Sequence, residues 1–292
     1  MAWVYDSSTL QDFLRCPRRA YWRHERELVL AEAPRQPSFG HAIHAALRSY
    51  HELWDIDRAV EVFKRHWQTP PGEELYTVER GEELLRAYAA HYGVEPFQFI
   101  ALERTFELEL PNGYRYCGRF DGIIEWDGTV YVYDAKTTSR LGQFFFKRWR
   151  PSLQMTGYVW AAQKLLGRPV KGVLIDALRI GTRTFAFARD ISSREPWELE
   201  EFERVVTDLI ATIERKRELT RTFRELSESE ATIRASLWPP NWTSCGDFGM
   251  CPYRELCLCP GDDAERIAEV MYERRPWTPF EANSEEVEEV TS

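Results

Sequence analysis

The stretch Gly118-Arg-Phe-Asp121-Gly-Ile-Ile-Glu-Trp126-Asp127-Gly128-Thr129-Val-Tyr-Val-Tyr-Asp134-Ala135-Lys136-Thr decides the fold. Tyr114 to Trp126 and Thr129 to Thr137 read as strands rich in β-branched and aromatic residues. Between them, Asp127-Gly128 is a strong two-residue hairpin signal, because these residue types tolerate the positive φ that such turns need. With those two residues as the turn, facing residues have numbers adding to 255, so Asp121 is set opposite Asp134. Directly opposed residues lie roughly 4.5–5.5 Å apart at Cβ. Two carboxylates that close repel unless a cation sits between them. Oxygen ligands of this kind suit a hard ion, Mg²⁺ or Mn²⁺.

Strand alternation extends the pattern. Lys136 shares a face with Asp134, while Ala135 points the other way and leaves its backbone carbonyl to turn toward the ion. A lysine there can orient or deprotonate a water, or stabilise charge on a phosphate. The competing reading makes Asp121 and Asp134 ordinary strand residues beside a salt-bridging lysine. Aspartate is depleted in strand interiors, and the apolar run before Asp134 reads as buried, so the ion-site reading is preferred.

Outward from the hairpin, the chain alternates helices and strands. Asp6-Ser7-Ser8 starts a helix, with Gln11 placed for a capping box behind Ser8. A second helix is expected from Phe39 to Trp54 and a third near Glu82 to His91, before a break at Gly93 to Pro96. Phe99 to Leu110 alternates partly, and Pro111-Asn112-Gly113 signals a turn. Leu153 to Leu166 reads as a helix ended by Gly167, and Val173 to Ile180 and Thr184 to Ala188 as strands. A long helix is expected from Pro196 to Glu225, since proline is tolerated in a first helical turn. There is no internal repeat and no G-x-x-x-x-G-K-[ST] phosphate loop, which argues against an ATP-driven motor.

Composition narrows the class. A hydrophobic content of 43% allows a full core and excludes a disordered chain. The net charge of −9 argues against general nucleic-acid binding, so any such contact must use a local basic strip. Glu281, Glu285, Glu286, Glu288 and Glu289 read as a solvated acidic tail. No apolar run reaches membrane-spanning length, and the N-terminal residues lack a signal-peptide pattern, so a cytoplasmic location and no membrane partner are expected. Six cysteines then favour metal ligation over disulfides.

Those cysteines cluster. Cys245, Cys251 and Cys257 are spaced by five residues each, Cys259 follows two further on, and Cys16 is remote. Three clustered thiols plus one remote thiol can form a four-thiolate site. Cys117 reads as a plain strand thiol. Basic residues also gather. Arg15, Arg18, Arg19, Arg23 and Arg26 surround Cys16. Phe144-Phe-Phe-Lys147-Arg148-Trp149-Arg150 follows the hairpin. Such a mixture suits single-stranded backbone tracking with base stacking, and equally a solvated basic face over an aromatic core.

Gly118-Arg-Phe-Asp121 with Asp134-Ala-Lys136 resembles the D…(D/E)xK core of the PD-(D/E)xK nuclease superfamily. More narrowly, it resembles the RecB-like branch, which includes helicase–nuclease domains and small CRISPR-associated exonucleases. Gly40-His-Ala-Ile-His44 resembles that branch's G-x-x-x-H helix, which implies His44 as a metal ligand with Asp121, Asp134 and Ala135. Only the spacing from Gly40 prefers His44 over His41 and His51. Gln154-Met-Thr-Gly-Tyr158 resembles the Q-x-x-x-Y motif, with both side chains on one helix face. It implies a role for Gln154 and Tyr158 in holding phosphate or orienting Lys136. Glu103 is a further candidate near the site. Cys251-Pro-Tyr-Arg-Glu-Leu-Cys257 resembles the iron–sulfur members, which implies a 4Fe–4S cluster on Cys16, Cys245, Cys251 and Cys257. Zinc remains the alternative there, and Cys259 the alternative to Cys257.

The fold implied is α/β, restriction-endonuclease-like, with a central mixed sheet and flanking helices. One nuclease domain is expected over 1–260, its core at 95–190 and its clasp at 1–38 and 238–260, with an extension at 261–292. The function implied is a metal-dependent exonuclease on DNA ends, preferring single strands or frayed ends, in recombination, repair or CRISPR adaptation. The alternative is a DNA-end-binding adaptor with weak cutting. The nuclease is expected to stand alone or to join a partner, a helicase or an integrase.

Overall fold

The hairpin forms in the expected register. In the computed structural model its rungs run from Gly122–Tyr133 to Trp126–Thr129. Asp127 and Gly128 turn the chain with φ of 48° and 72°, the doubly positive geometry of a type I′ turn. The structure describes residues 4–32, 38–142, 144–247, 250–259 and 263–278. The acidic run from Glu281 onward lies outside them.

The chain begins with β1 (Val4–Tyr5), α1 (Ser7–Arg15), α2 (Pro17–Ala20), a π-helical turn (Tyr21–Glu25) and β2 (Leu28–Leu30). Then come α3 (Phe39–Leu53), α4 (Ile56–His66) and α5 (Val78–Tyr92). The strands β3 (Gln98–Leu102), β4 (Thr105–Glu109), β5 (Arg115–Arg119), β6 (Gly122–Trp126) and β7 (Thr129–Thr138) follow. Next are α6 (Phe144–Lys147), α7 (Leu153–Leu166), β8 (Gly172–Ile180), β9 (Phe185–Ser193) and α8 (Pro196–Glu225). Last are α9 (Glu230–Leu237), α10 (Arg254–Leu258), α11 (Asp263–Met271) and β10 (Tyr272–Arg274). The first helix is capped by Asp6, whose carboxylate accepts from Thr9 N, and not by Ser8. Helix α4, absent from the sequence reading, is capped by Asp55.

Two compact units emerge. One gathers Met1–Ala33, Glu107–Gly118 and Glu203–Ser292, the other Pro34–Phe106 and Arg119–Phe202. In the first unit β1 pairs with β5, and β10 pairs antiparallel with β2. The second unit is built on a mixed five-stranded sheet in the order β3-β6-β7-β8-β9, parallel only between β7 and β8. Helices α3, α4 and α5 share a core with Ile124, Tyr133, Ala135, Leu174, Leu178 and Ile180. Helix α7 connects the parallel pair and lies against both strands, outside that core. The parallel pairing needs such a crossover.

A buried polar network runs through the helical core. Asp176 on β8, fully buried, accepts from Tyr88 Oη at 2.7 Å, Tyr133 Oη at 2.8 Å and Arg189 Nε at 2.9 Å. Arg189 also forks onto Glu95 and lies over the Tyr92 ring. His51 sits beside it, its Nε2 3.3 Å from Tyr88 Oη. Burial, reinforced by the Arg189 charge, pushes His51 down to about 3.

Two outcomes are expected from this packing. An added Cβ at Gly81 would meet the Phe63 ring at 2.1 Å, so Gly81→Ala should destabilise by about 1–3 kcal/mol despite alanine's better helix propensity. A urea midpoint equal to or above wild type would contradict it. His51 should show no imidazole titration between pH 8 and 5 by NMR, and a midpoint near the ordinary value of about 6.5 would overturn its neutral, buried assignment. The unfolded chain protonates His51 below about pH 6.5 and the folded chain does not until about 3. His51 therefore lowers stability progressively as pH falls through that window.

Candidate active site

Two strands stop at the same level. The β3–β4 run breaks at Glu103, where φ is 42°, and the β5–β6 run breaks at Phe120-Asp121. The breaks are bonded to each other, Glu103 N to Asp121 O and Phe120 N to Arg104 O, both at 3.0 Å. Asp121 thus lies one residue beyond the last rung of the hairpin. Its side chain takes the place of a backbone partner, Oδ2 accepting from Ala135 N at 2.9 Å. In extended chain a residue's N–H and C=O face the same edge, so the Ala135 carbonyl shares the edge occupied by Asp121.

His44 reaches the same carboxylate from α3, with Nδ1 3.0 Å from Asp121 Oδ2. The approach depends on Gly40, one turn earlier, where an added Cβ would come 3.1 Å from Thr137 Oγ1 on β7. Burial alone would raise Asp121, but the charges of His44 and Lys136 and the bonds from His44 and Ala135 hold it below the ordinary carboxylate range. Burial alone would lower His44, and the Asp121 charge and bond raise it above its usual value.

Asp134 is 1% exposed. Burial pushes its pKa up to about 6, above the usual carboxylate range, Lys136 opposes this, and Asp121 adds to it. Lys136 Nζ makes an ion contact 2.5 Å from Asp134 Oδ2. The contact lacks hydrogen-bond geometry, and this buried oxygen has no hydrogen-bond partner among the described residues. The Lys136 ammonium also stands over the Trp149 ring, 5.4 Å from its centroid.

Glu103 lies beside this group and lines a small cavity with His44, Arg48, Asp121 and Ala135. Its carboxylate is within 3.5 Å of Arg48 and 3.3 Å of Arg119. Burial raises it, and the two arginines pull the other way. Neither arginine was singled out from sequence, although Arg48 follows His44 at helical spacing. Gln154 Nε2 donates to Tyr158 Oη at 3.1 Å, and the Tyr158 ring meets Phe120 edge-on. Of the basic strip, Lys147, Arg148 and Arg150 are all exposed. Arg148 stacks 4.4 Å over Phe145 and 4.5 Å over Trp149. Arg150 forks onto Glu198 instead.

Among the described residues, no group of three or more His, Cys, Asp or Glu side chains stands arranged to enclose a metal ion. The donor chemistry of His44, Asp121, Asp134 and the Ala135 carbonyl nevertheless fits a hard divalent ion. The Asp134 oxygen, buried and met by the Lys136 ammonium at 2.5 Å, is the acceptor such an ion would share or take over.

In the first unit, Cys16, Cys245, Cys251 and Cys257 line one cavity of about 120 Å³, and Cys259 is not among its lining residues. Hydrogen bonds between side chains and backbone join distant segments of the chain there. Asn241 N donates to Cys16 Sγ at 3.3 Å, Asn241 Nδ2 to Arg15 O at 2.9 Å, and Tyr253 Oη to Leu28 O at 2.7 Å. The thiols are of the right chemistry for iron–sulfur or zinc but do not converge on a point. Cys117 is buried on β5, which raises its thiol above the ordinary value.

No helix is long and apolar enough to cross a membrane among the described residues. No curated protein matches the sequence. A solved structure described as the crystal structure of SSO0001 shares 13% identity over 70% of this chain and 84% of its own, with a TM-score of 0.29. At that score the likeness carries no argument. The family model of the PD-(D/E)XK nuclease superfamily, however, matches residues 7–258, which include His44, Asp121, Asp134, Lys136, Gln154, Tyr158 and the four cavity-lining cysteines, and the chain belongs to that superfamily.

Proposed function

We propose that the chain is a divalent-metal-dependent DNA exonuclease acting at DNA ends, with preference for single strands or frayed ends. The observation that carries this reading is the buried Asp134 oxygen with no hydrogen-bond partner, beside an Asp121 carboxylate already ionised by its surroundings.

His44, Asp121, Asp134 and the Ala135 carbonyl would hold Mg²⁺ or Mn²⁺. The ion would supply Lewis-acid activation of a water and of the phosphodiester. His44 uses Nδ1 on Asp121, so Nε2 is its nitrogen for ligation, and the carboxylate fixes the ring's orientation. Lys136 orients the attacking water and carries positive charge toward the phosphate. Gln154 and Tyr158, tied to each other, form a polar edge suited to a phosphate. Lys147 and Arg148, mixed with aromatic rings, suit a single strand. Arg150 serves by fixing the segment to Glu198.

We read the four thiols of Cys16, Cys245, Cys251 and Cys257 as a structural metal site for a 4Fe–4S cluster or zinc. Their shared cavity supports this. Such a site would close a long loop between the chain ends.

On end-labelled single-stranded DNA, degradation should need Mn²⁺ or Mg²⁺ and stop with chelator. Lys136→Ala and Asp121→Asn should each reduce the rate by about 10²-fold or more, with DNA affinity little changed. Wild-type rates in Lys136→Ala, or in chelator, would sink the reading. Metal analysis of anaerobically purified protein should find iron with sulfide, or zinc. Cys16→Ser and Cys257→Ser should lose that metal while Cys259→Ser keeps it. Retention in Cys16→Ser would remove the clasp.

A further inference from the structure

Asp134 Oδ2 faces two claims. It is the acceptor proposed for a divalent ion, and it is also the atom that Lys136 Nζ contacts at 2.5 Å. An ammonium and a divalent cation repel, so a bound ion weakens the hold of this oxygen on Lys136. When the ion is held, Lys136 needs another place close by, or it swings to solvent and leaves the reaction.

The Trp149 ring is that place. Its centroid lies 5.4 Å from Lys136 Nζ, within cation–π range, and tryptophan is the strongest of the aromatic partners. The Trp149 backbone is braced by Arg194, which is 2% exposed. The Arg194 guanidinium donates to Trp149 O at 2.7 Å and to Thr156 Oγ1 on α7 at 2.8 Å. It also donates to Ser192 Oγ at 2.8 Å and Ser193 O at 2.9 Å at the end of β9. Every one of these acceptors is neutral. The bonds tie the Trp149 backbone to a helix and a strand at once. Arg148 lies 4.5 Å over the same ring, which leaves this segment rich in positive charge where a phosphate would arrive.

We infer that Trp149 is a positioning residue that seats the Lys136 ammonium once Asp134 is committed to a divalent ion. This rests on the nuclease reading above. It assigns the aromatic residue of the basic strip a role distinct from base stacking. Lys136, which borders both the carboxylate and the ring in the empty site, would give up the carboxylate and keep the ring in the loaded one, without leaving the reaction centre.

Protons above an aromatic face resonate upfield, so the Lys136 Hε signal reports the seat directly. It would be recorded by NMR with lysine labelling and assigned by its absence in Lys136→Arg. We expect an upfield signal in the wild type that moves further upfield with Mg²⁺. It should return to an unshifted position in Trp149→Leu and be partly kept in Trp149→Phe. In DNA degradation, Trp149→Leu should lower kcat about fivefold, the scale of one cation–π contact, with KM little changed. Trp149→Phe should recover part of the loss, and Trp149→Leu should add nothing in a Lys136→Ala background.

A Lys136 signal indifferent to Trp149→Leu, or one moving downfield with Mg²⁺, overturns the inference, as do additive losses in the double variant. A wild type that shows the expected signals yet degrades no DNA would instead overturn the nuclease reading and leave the lysine seat standing.

Discussion

Asp134 is held inside a β-sheet with one carboxylate oxygen that has no well-aligned hydrogen bond and is met only by an ion contact from Lys136 among the described residues. A buried polar group left in that state costs about 1–3 kcal/mol, and more when charged. The surroundings lessen that penalty without removing it. Lys136 supplies charge at short range, while Asp121 on the neighbouring edge works against ionisation. The arrangement is poised for a cation, and the other features of the second unit serve to keep it so. The paired strand breaks at Glu103 and Asp121 bring acidic side chains to one edge. Gly40 lets α3 come close enough for His44 to reach over.

Rigidity beneath the site comes from a different polar cluster. Asp176 pairs in register with Ala135, and its carboxylate is satisfied by two tyrosines and an arginine. A buried charge that is paired and hydrogen-bonded is tolerated, and removing one partner from such a group is strongly destabilising. The contrast between the two aspartates is instructive. Both are buried on adjacent strands, but Asp176 is fully met by protein donors and Asp134 is not. Only the second has capacity left for a ligand.

The first unit shows how a clasp can be prepared by the polypeptide itself. Asn241 and Tyr253 bond to groups near the start of the chain, and β10 pairs with β2. Four thiols then face one cavity by consequence. Side-chain bonds and strand pairing of this kind reduce the loop-closure entropy that ligand binding would otherwise have to overcome.

Much of this was legible in the chain. The hairpin register followed from Asp127-Gly128 and the period of two, both local properties, and it set Asp121 against Asp134. Helices α7 and α8 were readable to their ends, because Ser152 and Gly167 bracket one and Pro196 opens the other. The Asp-x-Lys spacing placed two charges on one face for the same reason. What sequence periodicity missed was non-local. Strands expected to run through Phe99–Leu110 and Tyr114–Trp126 break in the middle, because the two breaks bond to each other across the fold. The meeting of Lys136 with Trp149, of Glu103 with Arg48 and Arg119, and of Arg150 with Glu198 likewise depends on tertiary packing. Local chemistry determined which residues could share a strand face. Only the folded sheet and helices decided which carboxylates would be satisfied, since that depends on donors brought from distant parts of the chain.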